Sequence, residues 1–317
     1  MELYLPLQFS SATGTGMIQG RLYRPAPNVE ASGLIVQIVH GMAEHQQRYE
    51  SFCLFLTSHG HAVCSMDLPG HGYSVSSEEY LGYFGATDGT DLVLADIDRL
   101  ADLAIQELLP QQGAVRRVIL GHSMGSFISR LACTGSERSI AAAIFSGTSG
   151  NNPAAKLGVL LAEISIKRNG PLYKDKFLAR LSSVGNLKRI AKPRTPIDWL
   201  SRDQEVVDAY LADPLCGFTF TAAGYRDLFR WLVAVSERKW AQQVKPGLPI
   251  LLISGSDDPI GQFGKGPRQI YDQLKKAGHP VALKLYEGAR HEVLNETNRS
   301  EVWNDILSWL DDFSKLS

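Results

Sequence analysis

Six short, nearly continuous apolar runs, separated by segments with helical spacing, constrain this chain more than any other feature. They occupy residues 33–39, 61–66, 117–120, 141–145, 249–253 and 281–286. Runs this short and this apolar suit strands buried on both faces, as in a parallel sheet. Between them, Val93, Ile97, Leu100, Ala104 and Leu108 recur at steps of three or four, which predicts a helix over 88–109 with one buried face. Residues 269–277 and 302–313 also read as helices. The alternation predicts an α/β fold, a mostly parallel sheet flanked by helices. Segments 3–9 and 17–23 predict an antiparallel hairpin ahead of it.

The rhythm breaks over 150–224, where Gly158, Gly170-Pro171, Gly185, Pro193, Pro196 and Pro214 interrupt helical pieces. A segment of about 70 residues is too long for an ordinary loop. It reads as a helical cap, or lid, inserted into a core formed by 1–149 and 225–317. Between Lys156 and Arg194 it carries ten Lys/Arg against only Glu163 and Asp175, a local balance of +8. Such a surface is a solvated helical face or one that makes transient contact with an anionic membrane surface. No apolar stripe beside the basic residues reads clearly from the sequence.

Composition narrows the function classes. With 44% hydrophobic and 21% charged residues, the chain is an ordinary globular protein. Its net charge of -1, from 32 Lys+Arg and 33 Asp+Glu, argues against nucleic acid as a partner. Four scattered cysteines without a C-x-x-C pair predict buried free thiols in a reducing compartment. The N-terminus, Met1-Glu2-Leu3-Tyr4-Leu5, lacks the charged and apolar regions of a secretory signal. No stretch approaches the ~20 apolar residues of a transmembrane span. A cytoplasmic protein is expected.

The sharpest chemical signal is Gly121-His122-Ser123-Met124-Gly125. It matches the nucleophile elbow G-x-S-x-G, and it lies between a strand-like run and a helix-compatible stretch, as that turn requires. Small neighbours let the strained chain pass close by while the Ser123 hydroxyl is lifted to the end of the sheet. A serine needs a base. In this fold the order is Ser, acid, His, and only His279 and His291 lie well after Ser123. His279 reads as an exposed turn residue. His291 follows the last strand-like run, where an α/β sheet places its ligands, and is the candidate base. The acid should follow the 249–253 run, where Asp257 and Asp258 both qualify. An oxyanion hole needs two backbone N–H groups. Met124, after the nucleophile, supplies one, and Met42, in the His40-Gly41-Met42 loop after the first parallel strand, supplies the other.

At these residues the chain resembles the monoglyceride lipase and lysophospholipase branch of the α/β-hydrolases, which takes in serine aminopeptidase-like enzymes. The resemblance rests on five blocks in order: His40-Gly41-Met42-Ala43-Glu44-His45 with Arg48-Tyr49; Asp67-Leu68-Pro69-Gly70-His71-Gly72-Tyr73-Ser74; Gly121–Gly125; Gly255-Ser256-Asp257-Asp258; and Gly288-Ala289-Arg290-His291-Glu292. It runs from about residue 20 to the C-terminus. The family's acid, the fourth residue of Gly-Ser-x-Asp, falls on Asp258. Its nucleophile and base fall on Ser123 and His291, and its oxyanion donors on Met42 and Met124. The second block departs from the family's Asp-His-x-Gly-His-Gly at Leu68 and Pro69.

The resemblance implies hydrolysis of a carboxylic ester through a serine acyl-enzyme, without metal or organic cofactor, with a monoacylglycerol or a lysophospholipid as substrate. A small-ester carboxylesterase, a peptidase releasing N-terminal residues, another hydrolysis on the same fold, and a non-catalytic binding protein are the competing readings. The peptidase needs carboxylates to hold a substrate ammonium, and the acid-poor stretch 156–194 argues against it.

Overall fold

The computed structural model describes residues 3–315 except 113, 136 and 238; Met1 and Glu2 of the N-terminal reading lie outside them. Eight strands form one sheet: β1 (Leu5–Ser10), β2 (Met17–Tyr23), β3 (Leu34–Val39), β4 (Ala62–Met66), β5 (Arg116–His122), β6 (Ile140–Ser146), β7 (Ile250–Gly255) and β8 (Val281–Tyr286). Their spatial order is β1-β2-β4-β3-β5-β6-β7-β8. The β1–β2 and β2–β4 pairs are antiparallel and all others parallel. The chain is thus an α/β-hydrolase fold led by the expected hairpin.

The continuous apolar runs of β3 to β7 are explained by burial on both sides; β8, at the edge of the sheet, instead exposes Ala282 and Lys284. Along β3, Leu34, Val36 and Ile38 face one core with Phe52 and Ile306, while Ile35 and Val39 face the other with Ile97 and Phe127. The first core is covered by α1 (Glu50–Thr57) and α10 (Arg299–Ser314). The second is covered by α2 (Thr90–Gln112) and α3 (Met124–Ala132). The five periodic residues of α2 are all fully buried. The one polar residue in the β3 run, Gln37, is satisfied: it donates to Ile97 O at 2.7 Å and accepts from Arg117 Nε at 2.8 Å. That matching keeps an amide in the interior without the cost of an unpaired group.

Between β6 and β7 the chain forms α4 (Ala154–Asn169), α5 (Lys176–Ser183), α6 (Gln204–Ala212), α7 (Ala222–Ser236) and the short α8 (Trp240–Gln243). Helix α7 continues past residue 224 and packs on α4 and α3. Asp175, Asp203 and Thr221 cap α5, α6 and α7 through side-chain acceptors. The segment is joined to the core by Arg130, a fully buried residue of α3. Its guanidinium donates to Ser149 O, just after β6, and to Val235 O, near the end of α7, and stacks on Trp240.

Helix α9 (Lys265–Lys276) completes the layer beside β7 and β8. His279, expected to be exposed in a turn, is instead buried, with Nε2 3.0 Å from Ala241 O. Its turn is covered by α8, a contact that local sequence does not encode. The four cysteines are unpaired; Cys53, Cys64 and Cys133 are buried and Cys216 is partly exposed. No helix of the described residues is long and apolar enough to cross a membrane.

Candidate active site

Ser123 is the one residue between β5 and α3. Its backbone lies at φ 52 and ψ -120, a strained conformation for a side-chain-bearing residue. Two glycines make that turn available. A Cβ on Gly121 would lie 2.3 Å from Gly125 O, and one on Gly125 would lie 2.1 Å from Val39 O. The Ser123 amide is held by Ser146 O at 2.9 Å. Ser123 itself is partly exposed and lines a cavity of about 570 Å³.

His291 lines the same cavity from the loop after β8. Its Nδ1 is 2.9 Å from Asp258 Oδ1, in the loop after β7. His291 and Asp258 are 1% and 0% exposed, so their pairing is shielded from water. Burial disfavours the imidazolium, but the Asp258 carboxylate outweighs it and holds the His291 pKa above the ordinary value. Burial likewise opposes ionisation of Asp258, and the His291 ring with the Ile260 and Gly261 amides holds its pKa below the usual range. Ser254 Oγ adds a hydrogen bond to Asp258 Oδ2 at 3.1 Å. Asp257 turns the other way, to the surface, 3.8 Å from Arg189. Of the two aspartates left open by spacing, the one that reaches the imidazole is Asp258.

Met42 and Met124 both border the cavity beside Ser123. Met124 opens α3, so its N–H is among the donors a helix start leaves free. The Met42 loop is fixed from several sides. Gly41 N–H donates to Glu44 Oε1 at 2.5 Å, and Ala43 is held at φ 52. Ala43 O accepts from Tyr210 Oη at 2.9 Å and from Gly217 N at 2.9 Å, both in the segment after β6.

Sequence reasoning assigned no role to a buried charged network behind these groups. Arg48 donates to both Glu292 carboxylate oxygens at 2.8 and 2.6 Å and also binds Glu44. Glu44 in turn accepts from Tyr49 Oη at 2.8 Å. Burial disfavours the Glu44 carboxylate, yet Arg48 and the neighbouring His122 and His40 rings pull its pKa down to about 2. The network ties the Gly41-Met42 loop to the loop that carries His291. Glu44, Arg48 and Glu292 all stand in the five sequence blocks, but Arg48 and Glu292 are 244 residues apart, so spacing does not show that they meet.

His122 was also assigned no role. Its ring centroid is 4.7 Å from that of His291, and burial together with His291 lowers its pKa to about 4. It is therefore neutral at pH 7 and does not oppose protonation of His291. Trp199 packs its ring 5.0 Å from that of His291, and its carbonyl accepts from the His291 backbone N–H.

The departing second block still orders its loop, since Asp67 accepts from the Gln46 and Tyr73 amides. Leu68 is buried in the core and Pro69 O pairs with His71 Nδ1. His45, Asp213 and Cys216 have potential ligand atoms within 4.8 Å of one another. His45 Nε2 is satisfied directly by Asp213 Oδ2 at 2.8 Å, which joins the Met42 loop to the segment after α6.

A serine hydroxyl on a strained turn and an imidazole paired with a buried carboxylate, bordering one cavity with Met42 and Met124, are the parts that acyl transfer needs. Residues 30–298 match the family model Hydrolase_4, described as serine aminopeptidase, S33. A monoacylglycerol lipase of Mycolicibacterium smegmatis is 28% identical over 284 residues, 90% of each chain. The human monoglyceride lipase is 27% identical, over 92% of this chain and 85% of the relative. A thermostable carboxyl esterase from Bacillus coagulans, solved with glycerol, superposes with a TM-score of 0.89 at 28% identity, covering 99% of this chain and 100% of that one.

Proposed function

The chain belongs to the Hydrolase_4 family, in the monoglyceride lipase branch of the α/β-hydrolases, and on that premise we propose that it is a serine ester hydrolase whose substrate is an ester with one long acyl chain, a monoacylglycerol or a lysophospholipid. Ser123 attacks the ester carbonyl as His291 takes its proton. Asp258 holds the tautomer and stabilises the imidazolium. The Met42 and Met124 amides bind the oxyanion. His291 then protonates the leaving alcohol and activates the water that releases the acid.

The observation that carries this reading is the buried His291–Asp258 pair opening onto the same cavity as Ser123. The acyl-chain preference is supported by the cavity wall, which includes Phe127, Leu181, Ile197, Tyr225, Leu228, Phe229 and Leu232. Peptidase activity fits less well. Among the described lining residues the carboxylates are Glu44 and Glu292, and both are already bound to Arg48. A substrate ammonium would have to compete with that guanidinium.

Residues 150–224 act in this proposal as the cap over the cavity, and its outer face docks on an anionic lipid surface where such substrates reside. Most of its ten basic residues between Lys156 and Arg194 reach solvent, whereas Lys174 is half-buried. Leu157, Leu160 and Ile164 form an exposed stripe on α4, with Phe177 and Val184 exposed in the following segment. Apolar insertion combined with basic attraction is the physics of interfacial binding. A cytoplasmic setting is in keeping with the four unpaired cysteines.

The deciding experiment is a set of initial rates on p-nitrophenyl esters from acetate to palmitate, with Ser123→Ala alongside. Serine-dependent activity that rises with chain length supports the proposal. Activity confined to short chains replaces it with a small-ester carboxylesterase. Serine-independent turnover, or none, overturns it.

A further inference from the structure

Helices α4 and α7 meet where α4 carries a glycine. A Cβ added to Gly158 would lie 2.7, 2.8 and 2.9 Å from three carbons of the Phe229 ring, on α7. These distances are closer than side chains tolerate, so the ring occupies the space that any larger residue would take. A glycine inside a helix is less favourable than alanine, so close packing is the physical reason for it here. The other buried residues of this α4 face are Ala155, Ala162 and Ser165, each with a Cβ that Gly158 lacks. Phe229 also borders the cavity that holds Ser123. Tyr225, one turn back on α7, stacks on it with ring centroids 6.3 Å apart and borders the same cavity.

We propose that Gly158 is a specificity-determining positioning residue: by letting the Phe229 ring lie back into α4, it sets how long an acyl chain the cavity accepts. This role rests on the ester-hydrolase reading and goes beyond it by naming what limits the acyl group. A side chain at 158 must displace either the ring or the helix. The ring has empty cavity on one side, whereas the α4–α7 contact is close-packed, so the ring swings inward. The space it enters belongs to the cavity that holds Ser123, so less of it is left for an acyl chain. Gly158 touches no substrate and acts only through Phe229.

The test compares wild type, Gly158→Ala, Phe229→Ala and the double variant on p-nitrophenyl acetate, octanoate and palmitate. Gly158→Ala lowers the palmitate-to-acetate ratio of kcat/KM about tenfold, the effect of losing room for one or two methylenes in an apolar pocket. The double variant restores the ratio, because the ring that transmits the clash is gone. An unchanged ratio in Gly158→Ala, or a reduced ratio that persists in the double variant, overturns the proposal and assigns the glycine to helix packing alone. Phe229→Trp enlarges the same wall with the sequence of α4 unchanged and lowers the ratio too; if Gly158→Ala does not fold, an unchanged ratio in Phe229→Trp is the overturning result. Absence of Ser123-dependent activity in wild type overturns the ester-hydrolase reading instead. In that event palmitate binding, read by thermal shift, still separates wild type from the variants: weaker in Gly158→Ala and recovered in the double variant, or the notch has no such role.

Discussion

Helices α2 and α4 each bury one face, yet they bury opposite kinds of residue. Helix α2 turns Val93, Ile97, Leu100 and Leu108 into the core with no exposed surface. Helix α4 buries Ala155, Gly158 and Ala162 and leaves Leu157, Leu160 and Ile164 at 55%, 57% and 42% exposure. A helix under a sheet gains from filling volume with large apolar groups. A helix that must approach another helix closely gains from small ones, and its large apolar groups go outward. The sheet side of the molecule is thus organised to hold chemical groups rigidly, and the segment after β6 to present a surface and wall a cavity.

Substitutions sharpen that contrast. The largest effects belong to groups at the ends of strands. Ser123→Ala lowers kcat/KM on every ester by a factor of about 10⁶, as loss of a triad nucleophile does; retained turnover at wild-type level would remove Ser123 from the mechanism. Asp258→Asn costs about 10⁴ in kcat by favouring the wrong imidazole tautomer. It also has a pH signature. The reaction needs neutral His291, and Asp258 raises the His291 pKa, so activity falls as pH drops through a value above the ordinary ~6.5. In Asp258→Asn that acid limb moves to lower pH. A limb that stays in place in the pH–rate profile would mean another group sets it.

Stability tests the two helices directly. Leu100→Ala in α2 costs about 2–5 kcal/mol, the usual effect of a core cavity, whereas Leu160→Ala in α4 stays within about 0.5 kcal/mol. Urea unfolding of the two variants reads the difference, and equal losses would break the comparison. The smallest effect is on soluble substrates. Replacing Leu157, Leu160 and Ile164 together by serine leaves p-nitrophenyl acetate turnover near wild type but weakens co-sedimentation with phosphatidylserine-containing vesicles about tenfold, in line with the loss of buried apolar area at an interface. Unaltered vesicle binding would take the α4 face out of the docking surface.

Legibility in the sequence followed the same division. The apolar runs lie within a few residues of β3 to β8: in β3 to β7 a strand buried on two faces has little freedom in composition, whereas the edge strand β8 alternates partly buried and exposed residues up to Tyr286. The periodic face of α2 is the buried face. The elbow was legible because its glycines answer to backbone contacts, Gly125 against Val39 O above all. In the segment after β6, the breakers at Gly170-Pro171 and Gly185 fall between or after helices. Gly158, however, lies inside α4, where it is not a breaker but a contact point. The α4 stripe is hidden for a related reason: apolar periodicity does not say which neighbour a face will meet.

The sequence alone determined the α/β alternation, the strained turn at Ser123 and the order in which nucleophile, acid and base candidates follow one another, because each is written in local spacing and in residue types with few substitutes. Tertiary structure decided what depends on contacts between distant segments. It turned Asp258 toward His291 while Asp257 faces Arg189, it closed Arg48 between Glu44 and Glu292, and it set Phe229 against Gly158. Those choices turn on one residue's rotation along a loop or on the close approach of two helices, and only the packed chain supplies both partners of each contact.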